Sequence, residues 1–381
     1  MAPVRSILTY ILFIASFLAI SCPGAQCRET DELSERAYKS LVAESMESIP
    51  AQSAPVKSRG ADSQAAADKR ALAAKSGRSS GSTGRPRVIL ALGGGGTRGL
   101  AHIGVLRVLQ REGIHIDGIA GTSMGAIVGG LFAAGLNPDQ IEDLMRNRSM
   151  LHAYDTVPIP VRLACVPVFA LPHAFGYHPY DGLYRGNKFA TYINTVVPPS
   201  KKNIEDFDTP FVAVATDLLE GKPYTIRSGD IGRAIQASSA LPGLRRPLYF
   251  QEKLLVDGGV LQNLPTDQAK DMDADVVIAV DVDGVHMKMA SRDFRRIGSV
   301  TFRCINLHLK AIDSYPSTSA NVVVRPCVGD IGLLSRNMHD ITIAITEGEK
   351  ATRASLPEIR AEIERVTTEL AEGKPAEGKP Q

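Results

Sequence analysis

A chain of 381 residues, 44% of them hydrophobic, is long enough to bury one large core. Its 43 Lys and Arg against 41 Asp and Glu leave a net charge of +2 with no basic stripe, which excludes a nucleic-acid footprint. The five cysteines, at positions 22, 27, 165, 304 and 327, show neither C-x-x-C nor a Cys/His spacing that would argue for zinc.

Residues Ile7 to Ile20 form an apolar run behind Arg5 and end in Ala19-Ile20-Ser21-Cys22. About 14 residues is short for a membrane span and suits a signal-peptide core over 1–21, cleaved before Cys22. An uncleaved anchor is the alternative. Cys22 also stands where a lipoprotein is acylated, although Ala19 occupies a place where such sites prefer Leu. The expected localisation is therefore periplasmic or secreted, with a lipid anchor through Cys22 as a further option. Residues 22–85 are rich in Ala, Ser, Gly, Lys, Arg and Glu and nearly free of large apolar side chains, which predicts a flexible low-complexity tether. Its basic residues, such as Lys57, Arg59, Lys69 and Arg70, offer loose attraction to an anionic membrane surface.

The folded region opens with the strand-like run Val88 to Leu92, which enters Gly93-Gly94-Gly95-Gly96-Thr97-Arg98-Gly99. A segment with a helical apolar face follows, carrying Ile103, Val105, Leu106 and Leu109. Glycines at a strand-to-helix turn expose backbone N–H groups that can surround an anion, and Arg98 adds a permanent positive charge. The N–H groups of Gly94, Gly95 and Gly96 are the candidate oxyanion donors. A dinucleotide site is the competing reading, because Gly94, Gly96 and Gly99 satisfy G-x-G-x-x-G and Asp117 follows at about the required distance. Asp117 opens the next strand, however, where that reading needs an acid at a strand end.

That strand, Ile116 to Ala120, leads into Gly121-Thr122-Ser123-Met124-Gly125 and a helical pattern from Ala126. This is the setting of a nucleophile elbow: a sharp turn strains the middle residue and lifts its hydroxyl off the sheet, while Gly121 and Gly125 remove clashing Cβ atoms. Ser123 is the candidate nucleophile. Farther on, Val157 to Phe189 carries apolar residues, including Phe169 and Phe175, broken by Pro158, Pro160, Pro167 and Pro172. It reads either as a buried irregular connection or as an apolar lid over a site.

None of the eight histidines, at 102, 115, 152, 173, 178, 286, 308 and 339, occupies a strand-end turn. His102 and His308 read as packed or surface residues. The stronger candidate base is Asp257, where the apolar run Leu254-Leu255-Val256 ends in Asp257-Gly258-Gly259. That pattern displays a carboxylate at the mouth of a sheet; a turn aspartate closing a hairpin is the alternative.

Taken together these motifs resemble the patatin-like phospholipases, in particular the bacterial group related to the catalytic domain of neuropathy target esterase. Gly94 to Gly99 is similar to the family's oxyanion motif, Gly121 to Gly125 to its elbow, and Asp257-Gly258-Gly259 to its aspartate motif, over a domain of about residues 86–355. The resemblance implies a Ser-Asp dyad in place of a triad, with Ser123 as nucleophile and Asp257 as general base. Arg98, Gly121, Gly125, Gly258 and Gly259 would support the site. It implies no cofactor and no metal, and a lipid acyl ester as substrate at a membrane surface. One departure stands out: after Ala237 to Leu244, the family's Phe-Pro-Pro is replaced by Arg245-Arg246-Pro247, so acyl-chain preference does not carry over.

Runs such as Phe211 to Asp217 and Val276 to Val282 are nearly continuous in apolar residues, as strands covered on both faces should be. Helical patterns at Ile231 to Ala240 and Pro265 to Met272 alternate with them. The expected fold is α/β: a three-layer α/β/α sandwich with a mostly parallel central sheet. Asp281 and Asp283 read as a solvated turn in preference to a calcium site. If the chain is exported, Cys304 with Cys327 is the disulfide to test. Pro357 is expected to open an amphipathic helix through about Leu370, within a C-terminal region, 356–381, that ends in a disordered tail. The function these features predict is hydrolysis of acyl esters of phospholipids or lysophospholipids; lipid binding with weak turnover and acyl transfer to an alcohol are the alternatives.

Overall fold

Apolar strands alternate with helices along the chain, and a computed structural model describes them over residues 85–154, 182–283, 291–295 and 299–372. Strand β1 (Val88–Leu92) leads through a 3-10 turn (Gly96–Leu100) into helix α1 (Ala101–Arg111), and β2 (Gly118–Thr122) leads into α2 (Met124–Ala133). Next come α3 (Pro138–Arg146), α4 (Arg148–Tyr154) and α5 (Asn187–Val196). Asn137 starts α3 in a capping box with Gln140, with a proline in the first turn, so sequence alone sets that helix start. Then follow β3 (Phe211–Asp217), β4 (Lys222–Ile226), α6 (Ile231–Ser238), β5 (Leu248–Phe250), β6 (Lys253–Asp257), α7 (Thr266–Lys270) and β7 (Val276–Val280). The last elements are α8 (Ser299–Ser319), β8 (Val322–Val324) and α9 (Met338–Ala371).

These strands form one sheet in the order β5-β6-β3-β2-β1-β7-β8, with β4 also on β3. β3, β2, β1, β7 and β8 are parallel, while β4 and β6 run antiparallel to β3 and β5 antiparallel to β6. Side chains alternate along β1. Val88, Leu90 and Leu92 enter the larger core with α1, α2 and α9, while Ile89 and Ala91 enter a smaller one with Leu264, Ala269 and Met272 around α7. Helices thus cover both faces, which is the expected three-layer α/β/α arrangement.

The pairing of β3 matters most for the site. β2 pairs with Phe211 to Val214, ending at Thr122 opposite Val214, whereas β6 pairs with Ala215 to Asp217, starting at Asp257 opposite Ala215. β4 lies along β3 from Ala213 to Asp217 and therefore occupies the other edge throughout. β6 takes up the edge of β3 that β2 leaves. The ends of β2 and β6, with the residues that follow, meet head to head.

All described residues belong to one compact unit. Outside the described residues lie the expected signal peptide over 1–21, Cys22, the tether through residue 84, the segment 155–181 with Phe169 and Phe175, and the tail from residue 373. Among the described residues no helix is long and apolar enough to cross a membrane.

Three expectations need correction. Pro357 does not open a helix: it lies inside α9, which starts at Met338 behind Asn337, whose side chain accepts from the His339 N–H. Packing overrides the proline's missing donor. Ile341, Ile345, Ile359 and Val366 are buried along α9, and the helix approaches α1 so closely that a Cβ on Gly348 would stand 2.0 Å from the Ala101 carbonyl oxygen. Cys304 and Cys327 are both exposed free thiols. Asp281 and Asp283 are buried, 5% and 0% exposed, because the end of β7 turns into the interior behind the glycine loop.

Candidate active site

Ser123 sits at the junction of β2 and α2 with φ 51° and ψ −114°. Few non-glycine residues adopt a positive φ, and its cost of roughly 1–3 kcal/mol persists only where the surroundings enforce it. Here they do. The Ser123 N–H donates to Ser238 Oγ at 3.0 Å, and Ser238 Oγ donates in turn to the Val214 carbonyl at 2.6 Å. That carbonyl lies where the ladder passes from β2 to β6. Below the turn, a Cβ on Gly125 would stand 2.1 Å from the Leu92 carbonyl oxygen, so only glycine lets α2 start this close to β1. Gly121 backs onto the same turn, facing Gly125 and Ala126.

Asp257 ends β6 directly across this junction. Ser123 Oγ donates to Asp257 Oδ2 at 2.8 Å, and the Gly259 N–H donates to Oδ1 at 2.8 Å. The Asp257 N–H is tied to the Ala240 carbonyl at 3.0 Å, so backbone and carboxylate are both fixed. Gly258 lies against the Val214 carbonyl and Gly259 against Asn263. Burial pushes the Asp257 carboxyl up to about 6, opposed by the Gly259 N–H and the Ser123 hydroxyl. A carboxylate in this state is a better proton acceptor than a solvated one and still ionised at neutral pH.

The glycine loop closes the third side. The Gly94 N–H donates to the Asn263 carbonyl at 3.2 Å, so Gly94 serves as an anchor. The N–H groups of Gly95 and Gly96 have no acceptor among the described residues, and both residues line a cavity of about 360 Å³ together with Ser123 and Asp257. Gly96 has φ 55°, and a Cβ there would stand 2.0 Å from the Leu333 carbonyl oxygen. Leu241, Ile305, Leu309 and Leu333 make the cavity walls largely apolar.

Arg98 does not face the cavity. It is 1% exposed, pairs with Asp283 at 2.8 Å, and donates to Asn306 Oδ1 at 2.9 Å and to the Gly95 carbonyl at 3.4 Å. It braces the loop from behind. Asn263 completes the brace: its amide donates to Asp313 Oδ2 at 2.6 Å, Asp283 Oδ2 at 3.3 Å and the Gly94 carbonyl at 3.5 Å. Burial pushes Asp313 up to about 8, with Asp281 and Asp283 adding to the rise, and Asp283 up to about 6 against the pull of Arg98. Asp313 is therefore mostly protonated at neutral pH, which limits repulsion in a cluster with one buried cation. Asn263→Ala should leave these carboxyls short of a donor, at a cost of about 2–3 kcal/mol, and lower turnover by about 10²-fold through loop misplacement. A thermal melt with steady-state kinetics checks both.

His102 is buried, with its Nε2–H directed at the Gly93 carbonyl at 2.8 Å, and burial lowers it to about 4. It is a neutral prop for the loop. His308 lines the cavity, but its Nε2 is bonded to the Val260 carbonyl at 2.9 Å. Asp117 lies at the opposite end of the strands, bound to the Val88 N–H and Arg85, which removes the acidic partner that a dinucleotide site requires. No group of three or more His, Cys, Asp or Glu among the described residues is arranged to hold a metal ion.

The departure at Arg245 has a structural reason. Its side chain is 1% exposed, stacks over Tyr154 at 3.9 Å and Phe189 at 4.9 Å, and donates to the Tyr154 carbonyl at 2.6 Å. Tyr154 is itself a wall of the cavity. Of the residues that build the site, sequence reasoning missed Ser238, Asn263, Asp313 and the role of Arg245. None of them carries a local signal: Asn263 follows directly on another amide, Gln262, and its partner Asp313 lies 50 residues away.

A serine bonded to a buried carboxylate thus stands at the end of a mostly parallel sheet, beside two glycine N–H groups that have no acceptor among the described residues. Residues 90–270 match the family model of the patatin-like phospholipases. Among curated relatives, an uncharacterized NTE family protein of Mycobacterium tuberculosis is 39% identical over 199 residues, 52% of this chain and 50% of the relative. Lysophospholipase NTE1 of Pyricularia oryzae is 35% identical over 202 residues, 51% of this chain and 12% of the relative. The chain thus spans about half the length of the mycobacterial relative and a much smaller share of the fungal one. Among solved structures, VipD from Legionella pneumophila aligns with a TM-score of 0.40 at 14% identity, covering 72% of this chain and 67% of that one.

Proposed function

We propose that the chain is a serine lipid acyl hydrolase that cleaves acyl esters of phospholipids or lysophospholipids through the Ser123–Asp257 dyad. The observation that carries the reading is the 2.8 Å hydrogen bond from Ser123 Oγ to Asp257 Oδ2 at the wall of an apolar cavity. Asp257 takes the hydroxyl proton as Oγ attacks the ester carbonyl carbon, and the Gly95 and Gly96 N–H groups receive the oxyanion. Collapse expels the alcohol, which takes the proton back from Asp257, and leaves an acyl-Ser123. Asp257 then deprotonates a water that attacks the acyl carbon, and the carboxylic acid departs as Oγ regains its proton. The name of the fungal relative supports lysophospholipid as the first substrate to try.

The test is to incubate the purified full chain with phosphatidylcholine and lysophosphatidylcholine and to identify products by mass spectrometry. Free fatty acid with the matching alcohol is expected, along with labelling by a fluorophosphonate at Ser123. A preparation that binds lipid but releases no fatty acid and resists the probe would sink the reading.

The acid limb of activity follows from Asp257. The base must be ionised, so kcat/KM should be level above about pH 6 and fall about tenfold per unit below it. A pH–rate profile on a soluble ester tests this, and a limb near the ordinary carboxylate range would remove Asp257 as the titrating base. Export remains part of the proposal on the strength of the apolar run and Ala19-Ile20-Ser21-Cys22: the N-terminus of protein recovered outside the cytoplasm should begin at or near Cys22.

A further inference from the structure

Helix α8 has an apolar side that is exposed among the described residues. Val300 is 57% and Leu307 48% exposed, and Cys304 and Ala311 between and beyond them are exposed as well. Positions 300, 304, 307 and 311 recur at helical spacing and share one face. The opposite side is anchored: Leu309 and Asp313 are buried, and Asn306 accepts from Arg98. A contiguous exposed apolar row beside the mouth of a cavity marks an interaction surface.

Charge indicates which. The helix has three charged side chains, Arg303, Lys310 and Asp313. The acid is buried in the cluster behind the glycine loop, whereas Lys310 is exposed and Arg303 half-buried, and both fall at helical spacing beside Leu307. An apolar stripe flanked by cations alone matches an anionic lipid interface. The helix is also continuous with the site, because Cys304, Ile305, His308 and Leu309 line the cavity that holds Ser123. Leu261, 40% exposed, extends the apolar rim next to Val260, which His308 holds.

We infer that the outer face of α8 is a docking face for an anionic lipid leaflet, with Val300 and Leu307 entering the acyl boundary and Arg303 and Lys310 at phosphate level, so that a lipid is presented to the mouth of the cavity. This inference rests on the acyl-hydrolase reading for its purpose, although binding itself needs no turnover.

The experiment uses the full chain carrying Ser123→Ala, which separates binding from hydrolysis, with sedimentation on vesicles of phosphatidylcholine alone or mixed with phosphatidylglycerol. Arg303→Gln with Lys310→Gln should weaken partitioning to the anionic vesicles about fivefold per cation and leave neutral vesicles unaffected. Val300→Ser with Leu307→Ser should weaken both on the order of tenfold. With Ser123 restored, each pair should keep its thermal melt and its rate on a soluble short-chain ester. Unchanged partitioning in both pairs would overturn the docking face, and a soluble-ester rate that falls in parallel would reassign these residues to the architecture of the site. A dimer that Val300→Ser with Leu307→Ser dissolves, with vesicle binding intact, would give the face to a second copy of the chain. Vesicle binding that obeys these rules in a protein that hydrolyses no ester would overturn the acyl-hydrolase reading alone.

Discussion

Ser123→Ala is expected to abolish ester hydrolysis, with a loss of about 10⁴-fold or more, while the fold stays intact. The magnitude follows from the mechanism: without Oγ there is no covalent intermediate, and what remains is binding plus the oxyanion donors, the residual activity left when a nucleophile is deleted from such a site. The fold survives because the hydroxyl makes one hydrogen bond, to Asp257, while the backbone N–H keeps its bond to Ser238. Ser123→Gly sharpens the test. Glycine adopts φ 51° without penalty, so this variant should be equally inactive and more stable than wild type by about 1 kcal/mol. Initial rates on a soluble ester and parallel melts read both effects, and turnover within tenfold of wild type in either variant would remove the covalent mechanism.

Asp257→Asn should cost about 10³-fold in turnover, within the range for loss of a positioned base. The Gly259 N–H requires an oxygen at Oδ1, which turns the new amide NH₂ toward Ser123 Oγ and makes the serine an acceptor. The stability effect has the opposite sign. The folded carboxyl sits near 6, against an ordinary value of 3.8, so the folded state binds more protons than the unfolded state between those pH values, and wild type gains stability as pH falls through 6. At pH 7 the buried charge costs about 3 kcal/mol, which the amide avoids. The variant should therefore melt higher than wild type at pH 7, with the gap closing toward pH 4. An inactive variant that also melts lower at pH 7 would mean that the carboxylate is held by contacts that outweigh its desolvation.

What the sequence disclosed and what it hid divide along a physical line. Ser123, Asp257 and the glycine loop are each announced by a strand that stops at a polar residue beside glycines, because the backbone must turn sharply there and only certain residues permit it. The apolar runs of β1, β3 and β7 are similarly local, since strands covered on both faces have no polar side to show. The bracing of the site is not local. Ser238 reaches Ser123 across 115 residues and Asn263 reaches Asp313 across 50, and neither pair leaves a trace in its own neighbourhood. Asp283 looked like a turn residue because the arginine that accompanies it inward lies far upstream, at Arg98. Pro357 misled for a related reason: its local preference is to begin a helix, and the long contact between α9 and α1 is what carries the helix through it.

The head-to-head meeting of β2 and β6 on one edge of β3 bears on how the protein fails when heated. The serine belongs to the parallel body of the sheet, whereas the carboxylate is delivered by a strand that pairs with β3 over Ala215 to Asp217 and with the three-residue β5 on its other side. Fraying of that antiparallel corner would draw base from nucleophile while the parallel strands and their helices stay assembled. On the dyad reading, ester hydrolysis is expected to be the first property that warming removes, ahead of helical signal and of aggregation, and to return on cooling for as long as the sheet beneath it has not opened.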